Sequence, residues 1–121
     1  MLHIFCKSKI SGLKVTKAEL YYEGSITVDA KILDAAGILS GEKVEVLNVN
    51  NGARIETYPI RAKKGSGIVC LNGPAARSGN VGDRLIILCY GLLDEKEIKK
   101  ARMKIIKVDE RNRIKNTYIR R

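Results

Sequence analysis

"KVEVLNVNNGARIETYPIRA", residues 43–62, decides the class of fold. Val44 and Val46 alternate with charged residues, the period of a strand with one buried face; Leu47 and Val49 depart from it. Asn50-Asn51-Gly52 then supplies residues that accept positive φ, the signature of a hairpin turn. "ARIETYPIRA" reads as the return strand, and Pro59, which has no N–H for a ladder, predicts an edge or an irregularity within it.

Outward from this hairpin the chain offers more short strands. "HIFCKSKISGLKV" is a strand bent at Gly12, "ITV" at 26–28 is a second, "GIVCL" at 67–71 is buried, and "RLIILCYGLL" at 84–93 is the most apolar. Helical signals are short. Asp29 caps a stripe of Ile32, Leu33 and Ala36 that Gly37 ends. "GPAARSG" reads as one helical turn with Pro74 at its start. "DEKEIKKARM" places acids first and bases last, matching a helix dipole. "KIIKVDE" and "RIKNTYI" fit either a late hairpin or a mobile tail. With no repeat and no linker, residues 1–121 are expected to form one mainly β domain.

Of the 121 residues 45% are hydrophobic, which suits a globular chain. No apolar run reaches bilayer length and the N-terminus lacks a secretory leader, so a cytoplasmic protein without membrane contact is expected. Cys6, Cys70 and Cys89 have no metal-ligand spacing and are expected as buried free thiols. With His3 alone, a zinc site or a Ser-His-Asp triad is not expected. The net charge of +10 is uneven: residues 94–121 carry 11 basic and 5 acidic side chains and are expected as a basic helix and tail. This excess suits either a solvated surface or attraction to nucleic acid. Aromatic residues are 5% of the chain, without the basic–aromatic interleaving of single-strand binders.

One polar pair interrupts the patterned chain. In "YYEGS", residues 21–25, Gly24-Ser25 reads first as a turn. Yet Lys9, "YYEGS", "RIETY" at 54–58 and "NGPAA" at 72–76 occur in order with "VTKAEL", "LDAAGI", "NVNNG" and "VGD". From about Lys9 to Leu88 the chain resembles the pyruvoyl-dependent aspartate decarboxylases. The resemblance implies a small six-stranded double-psi β-barrel with short helices, assembled as a homotetramer with active sites between adjacent protomers. It further implies autocatalytic cleavage between Gly24 and Ser25, giving chains 1–24 and 25–121.

The residues suit that chemistry. A serine hydroxyl beside a peptide carbonyl converts the amide to an ester when strain and oxyanion stabilisation assist. Gly24 leaves the attacked carbonyl unhindered, and elimination followed by hydrolysis turns Ser25 into a pyruvoyl group. That built-in carbonyl forms a Schiff base with a substrate amine, so neither a metal nor pyridoxal phosphate is expected. By resemblance Ser25 is the cofactor precursor, Tyr58 the proton donor, and Lys9, Arg54, Thr57, Asn72, Gly73, Pro74 and Ala75 bind L-aspartate. Arg54 is suited to a bidentate carboxylate grip. Tyr22 is a further candidate that equally fits core packing, and Asn72 also fits a helix cap. In a regular strand Arg54 and Tyr58 share a face that Thr57 does not, so one common site requires a twist, a bulge or a second subunit. Some family members have His where this chain has Ser11, which removes any positive charge there. The expected activity is conversion of aspartate to β-alanine and CO2 for pantothenate synthesis; the rival is a small basic nucleic-acid-binding barrel.

Overall fold

The computed structural model describes residues 1–120. Among them are ten strands, β1 (His3–Lys14), β2 (Lys17–Glu19), β3 (Ser25–Asp29), β4 (Val44–Asn48), β5 (Arg54–Thr57), β6 (Pro59–Ala62), β7 (Val69–Asn72), β8 (Arg84–Leu93), β9 (Met103–Val108) and β10 (Ile114–Arg120). Two α-helices, α1 (Ala30–Ala36) and α2 (Glu95–Lys100), and a 3₁₀ turn, Gly73–Ser78, complete the chain.

The strands form a six-stranded sheet, β10-β9-β1-β8-β4-β5, and a four-stranded sheet, β2-β7-β3-β6. The mainly β expectation holds. The strand pairing does not close either sheet into the expected six-stranded barrel: β10 and β5 edge one sheet, β2 and β6 the other. One apolar cluster nevertheless joins both sheets and α1, through Ile10, Ile26, Leu33, Val46, Leu71 and Ile87. Burial of such aliphatic side chains contributes about 1.5–3 kcal/mol each.

The Asn50–Gly52 turn joins β4 to β5 as predicted, with Gly52 at φ 76° and Val46 opposite Ile55. Residues 53–62 are not a single return strand, however. β5 pairs with β4, whereas β6 runs parallel to β3 in the other sheet, so the chain changes sheets at Tyr58. Pro59 explains the break, because it donates no hydrogen bond with which to continue the β4 ladder.

The short helices follow their caps. The Asp29 carboxylate accepts from the Lys31 N–H, Gly37 ends α1 in the left-handed region at φ 69°, and Ala30, Ile32, Leu33 and Ala36 are buried. In α2, Asp94 and Glu97 form a reciprocal capping box. The segment after α2 is not a tail. β9 lies parallel to β1 and β10 returns antiparallel to β9. Buried Asn112 at φ 57° anchors the hairpin, its amide donating to the carbonyls of Lys14 and Gly67 at 2.9 Å. Of the two readings open for this segment the hairpin holds, with Ile105, Ile106 and Val108 buried.

Candidate active site

The site begins where β3 meets β7. These strands are antiparallel with Ser25 opposite Asn72 and Thr27 opposite Cys70. Strand alternation therefore puts all four side chains on one face, while Ile26 and Leu71 enter the core from the other. The Asn72 amide donates to Ser25 Oγ at 3.0 Å and to Thr27 Oγ1 at 2.8 Å. Ser25 Oγ in turn donates to the Glu23 carbonyl at 3.1 Å. Ser25 and Asn72 are buried, whereas Gly24 is exposed. Asn72 precedes the 3₁₀ turn but makes no side-chain cap, so its amide serves Ser25 rather than the turn.

Gly73 presses this arrangement from the side. It lies at φ 64°, and a methyl group there would come within 2.6 Å of the Tyr22 carbonyl oxygen and 2.8 Å of the Gly24 nitrogen. Only glycine fits this conformation and this close approach without displacing the Tyr22–Gly24 backbone. The Tyr22 side chain is 57% exposed, which removes the core-packing reading of that residue.

A groove of about 410 Å³ lies beside Gly24, lined by Ile55, Glu56, Thr57, Tyr58, Pro74, Ala75 and Ser78. The change of sheet at Tyr58 resolves the conflict of strand parity, because Thr57 ends β5 and Tyr58 belongs to neither strand. The Tyr58 carbonyl accepts the Ile26 N–H at 3.0 Å, tying it to the residue after Ser25.

Lys9 and Arg54 do not line that groove. Cross-strand register places Lys9, Leu88, Glu45 and Glu56 in one row of the six-stranded sheet, and Arg54 shares the face of Glu56 two residues away. Arg54 lines a separate groove of about 640 Å³ with Ile4, Glu45, Tyr90 and Leu92. Glu45 accepts from Arg54 at 2.9 Å and from the Tyr90 hydroxyl at 3.0 Å. Burial, reinforced by this carboxylate, pushes the Tyr90 phenol up from its ordinary pKa. The two grooves share Glu56. Ser11 is half-buried opposite Lys107 of β9.

Sequence reading missed Thr27, Cys70, Glu45 and Tyr90. Thr27 and Cys70 were accessible to a parity argument, each lying two residues from Ser25 or Asn72 on its strand. Glu45 and Tyr90 required the pairing of β4 with β5 and β8. All three cysteines are free, Cys70 and Cys89 buried and Cys6 half-buried. Among the described residues, no three His, Cys, Asp or Glu side chains gather as a metal site, and no helix is long and apolar enough to cross a membrane.

The aspartate decarboxylase family model matches residues 1–115. The chain belongs to the aspartate decarboxylase family. Within it, the chain is 55% identical over 108 residues to the aspartate 1-decarboxylase of Carboxydothermus hydrogenoformans, covering 89% of this chain and 85% of that one. The aspartate 1-decarboxylase of Chloroherpeton thalassium is 51% identical, with 97% and 85% covered. That of Leptospira biflexa is 52% identical, with 95% and 98% covered. Family membership extends the likeness beyond Leu88, where the motifs stopped, into the C-terminal hairpin.

Proposed function

We propose that the chain is a self-processing aspartate 1-decarboxylase that makes β-alanine for pantothenate synthesis in the cytoplasm. The observation that carries this reading is the buried Ser25 hydroxyl, held by Asn72 directly after an unhindered, exposed Gly24. Family membership supplies the reaction class. The nucleic-acid-binding alternative has no comparable support.

The residues fit formation of a pyruvoyl group at position 25. Ser25 Oγ attacks the Gly24 carbonyl carbon; an O–C bond forms, the C–N bond breaks, and the hydroxyl proton passes to the Ser25 nitrogen. Loss of the Ser25 Cα proton then expels the Gly24 carboxylate and leaves dehydroalanine. Water hydrolyses its enamine, releasing ammonia. The Asn72 N–H stabilises charge on Oγ as its proton leaves, before that charge passes to the Gly24 carbonyl oxygen. Gly73, lacking a side chain, leaves the Tyr22–Gly24 backbone the space it occupies. Thr57 faces the same groove as Gly24 and is assigned to processing and substrate binding. Once formed, the pyruvoyl group supplies the electron-sink carbonyl for loss of the α-carboxylate.

Around it, Tyr58 holds the proton destined for the substrate carbon. Gly73 and Ala75 offer backbone N–H groups to a substrate anion, while Pro74 has none. Lys9 and Arg54 supply the cations for a dicarboxylate. Their position on the outer sheet face supports a site completed by a neighbouring protomer, in a homotetramer. The double-psi barrel is proposed for the two sheets taken together, on the support of their common core and the strand exchange at Tyr58. Incubation of the purified chain with L-aspartate is expected to release equimolar CO2 and β-alanine. Absence of both from a fully cleaved sample would refute the substrate assignment.

A further inference from the structure

We infer that Cys70 is a positioning residue for self-cleavage: its thiol fixes the orientation of the Asn72 amide toward Ser25. This rests on the self-cleavage reading. A side-chain amide has nearly the same shape either way round, yet only one orientation assists the reaction. With Nδ2 toward Ser25, the amide donates to Oγ and stabilises the charge that develops as the hydroxyl proton leaves. Turned over, it would present Oδ1, whose negative dipole opposes that charge.

Thr27 does not select between these states, because its hydroxyl both donates and accepts. Ser25 favours the first, because its proton goes to the Glu23 carbonyl and its oxygen is left to accept. The remaining neighbour is the Cys70 thiol, whose sulfur lies 3.1 Å from Asn72 Oδ1. Its other acceptor, the Leu71 carbonyl, is farther at 3.8 Å. The thiol donates more readily than its sulfur accepts from an N–H, so its position opposite Oδ1 adds to the preference for keeping the oxygen away from Ser25. Burial pushes the thiol up from its ordinary pKa, which keeps it protonated. Cys70 is 5% exposed and opposes Thr27 across β3 and β7, so this contact is part of the packed sheet. The relay runs Cys70 Sγ–H to Asn72 Oδ1, Asn72 Nδ2–H to Ser25 Oγ, and Ser25 O–H to the Glu23 carbonyl. Cys70 does not line the groove beside Gly24, so any effect it has on the site passes through Asn72.

The test follows the appearance of the larger fragment by intact mass spectrometry in full-length chains from cell-free synthesis. Cys70→Ser keeps a donor and should cleave within about threefold of the wild-type rate; Cys70→Ala should be slowed at least tenfold. Rescue of cleavage by serine but not by alanine is the outcome that general loosening of the fold would not produce. In an Asn72→Ala background, Cys70→Ala should add no further slowing, because the amide it orients is gone. Cys70→Val replaces Cys70→Ala if alanine prevents folding. Equal cleavage in wild type and Cys70→Ala, or equal slowing in the serine and alanine variants, would overturn the positioning role alone. A wild-type chain that never cleaves would overturn both this inference and the self-cleavage reading.

Discussion

The two grooves that share Glu56 differ in how complete they are. Around Gly24 and Ser25, one chain brings together the Ser25 hydroxyl, the Asn72 amide that holds it, the close approach of Gly73, and two flanking hydroxyl residues, Thr57 and Tyr58. The Arg54 groove is lined by a guanidinium already paired with Glu45, and neither Gly24 nor Ser25 lines it. The difference separates two tasks. On the proposed reading a single chain would hold the residues for self-cleavage, whereas the cations for the substrate would come from another surface. In the proposed homotetramer, a neighbouring protomer that sets its Arg54 face against the Gly24 groove would supply those cations.

Replacing Ser25 with Ala has the largest expected effect. Without Oγ no ester forms, so the chain should remain whole and decarboxylation should be abolished. Removing this buried hydroxyl, which accepts from Asn72, should cost about 1–3 kcal/mol of stability. Normal decarboxylation in this variant would sink the pyruvoyl reading.

Tyr58→Phe should give the next largest loss, on the order of 10²–10⁴ in turnover, with cleavage preserved. The ring remains to pack at the change of sheet, and the Tyr58 carbonyl still accepts from Ile26. Wild-type turnover would reassign the proton donor without touching the cleavage mechanism.

Arg54→Ala should reduce kcat/KM for aspartate by on the order of 2–5 kcal/mol of transition-state binding, again with cleavage intact. Mixing the Arg54→Ala and Tyr58→Phe chains before assembly sharpens the comparison. If the site is shared, mixed oligomers contain interfaces with both native residues and should recover activity. Strict additivity of two poor enzymes would place both residues in one chain's site.

Asp29 lies outside both grooves and should have the smallest effect on activity. Its carboxylate accepts from Lys31, Gly65 and Gly67 at 2.9 Å each. Burial acts against its charge, but those N–H groups and Arg113 outweigh burial and hold its pKa below the ordinary value. The resulting stabilisation is present above the unfolded carboxylate value of about 4 and is lost as pH falls through the lower folded value. Asp29→Ala should cost roughly 2–4 kcal/mol of stability and flatten the acid limb of the unfolding curve. Activity per folded site should be unchanged; a selective loss of cleavage would tie Asp29 to the site.

Local chemistry carried the sequence reading furthest. Asn50–Gly52, Asp29 with Gly37, and the charges around α2 each announce their own turn or cap from adjacent residues. Between-sheet relations were less accessible. Pro59 flagged an irregularity, but only pairing shows that the chain passes there from one sheet to the other. β2, with three residues, is too short to display a period. The candidate site was legible as a set of residues because their spacing matches a family. Its partition into two grooves was not, since spacing along a chain does not report which sheet face carries a residue.

Intact mass spectrometry of purified wild-type protein tests the central claim most directly. Self-cleavage at Gly24–Ser25 predicts chains of 24 and 97 residues. The larger should resist Edman degradation, because a pyruvoyl group has no terminal amine. An active sample made only of uncut chains of 121 residues with serine at position 25 would contradict the account.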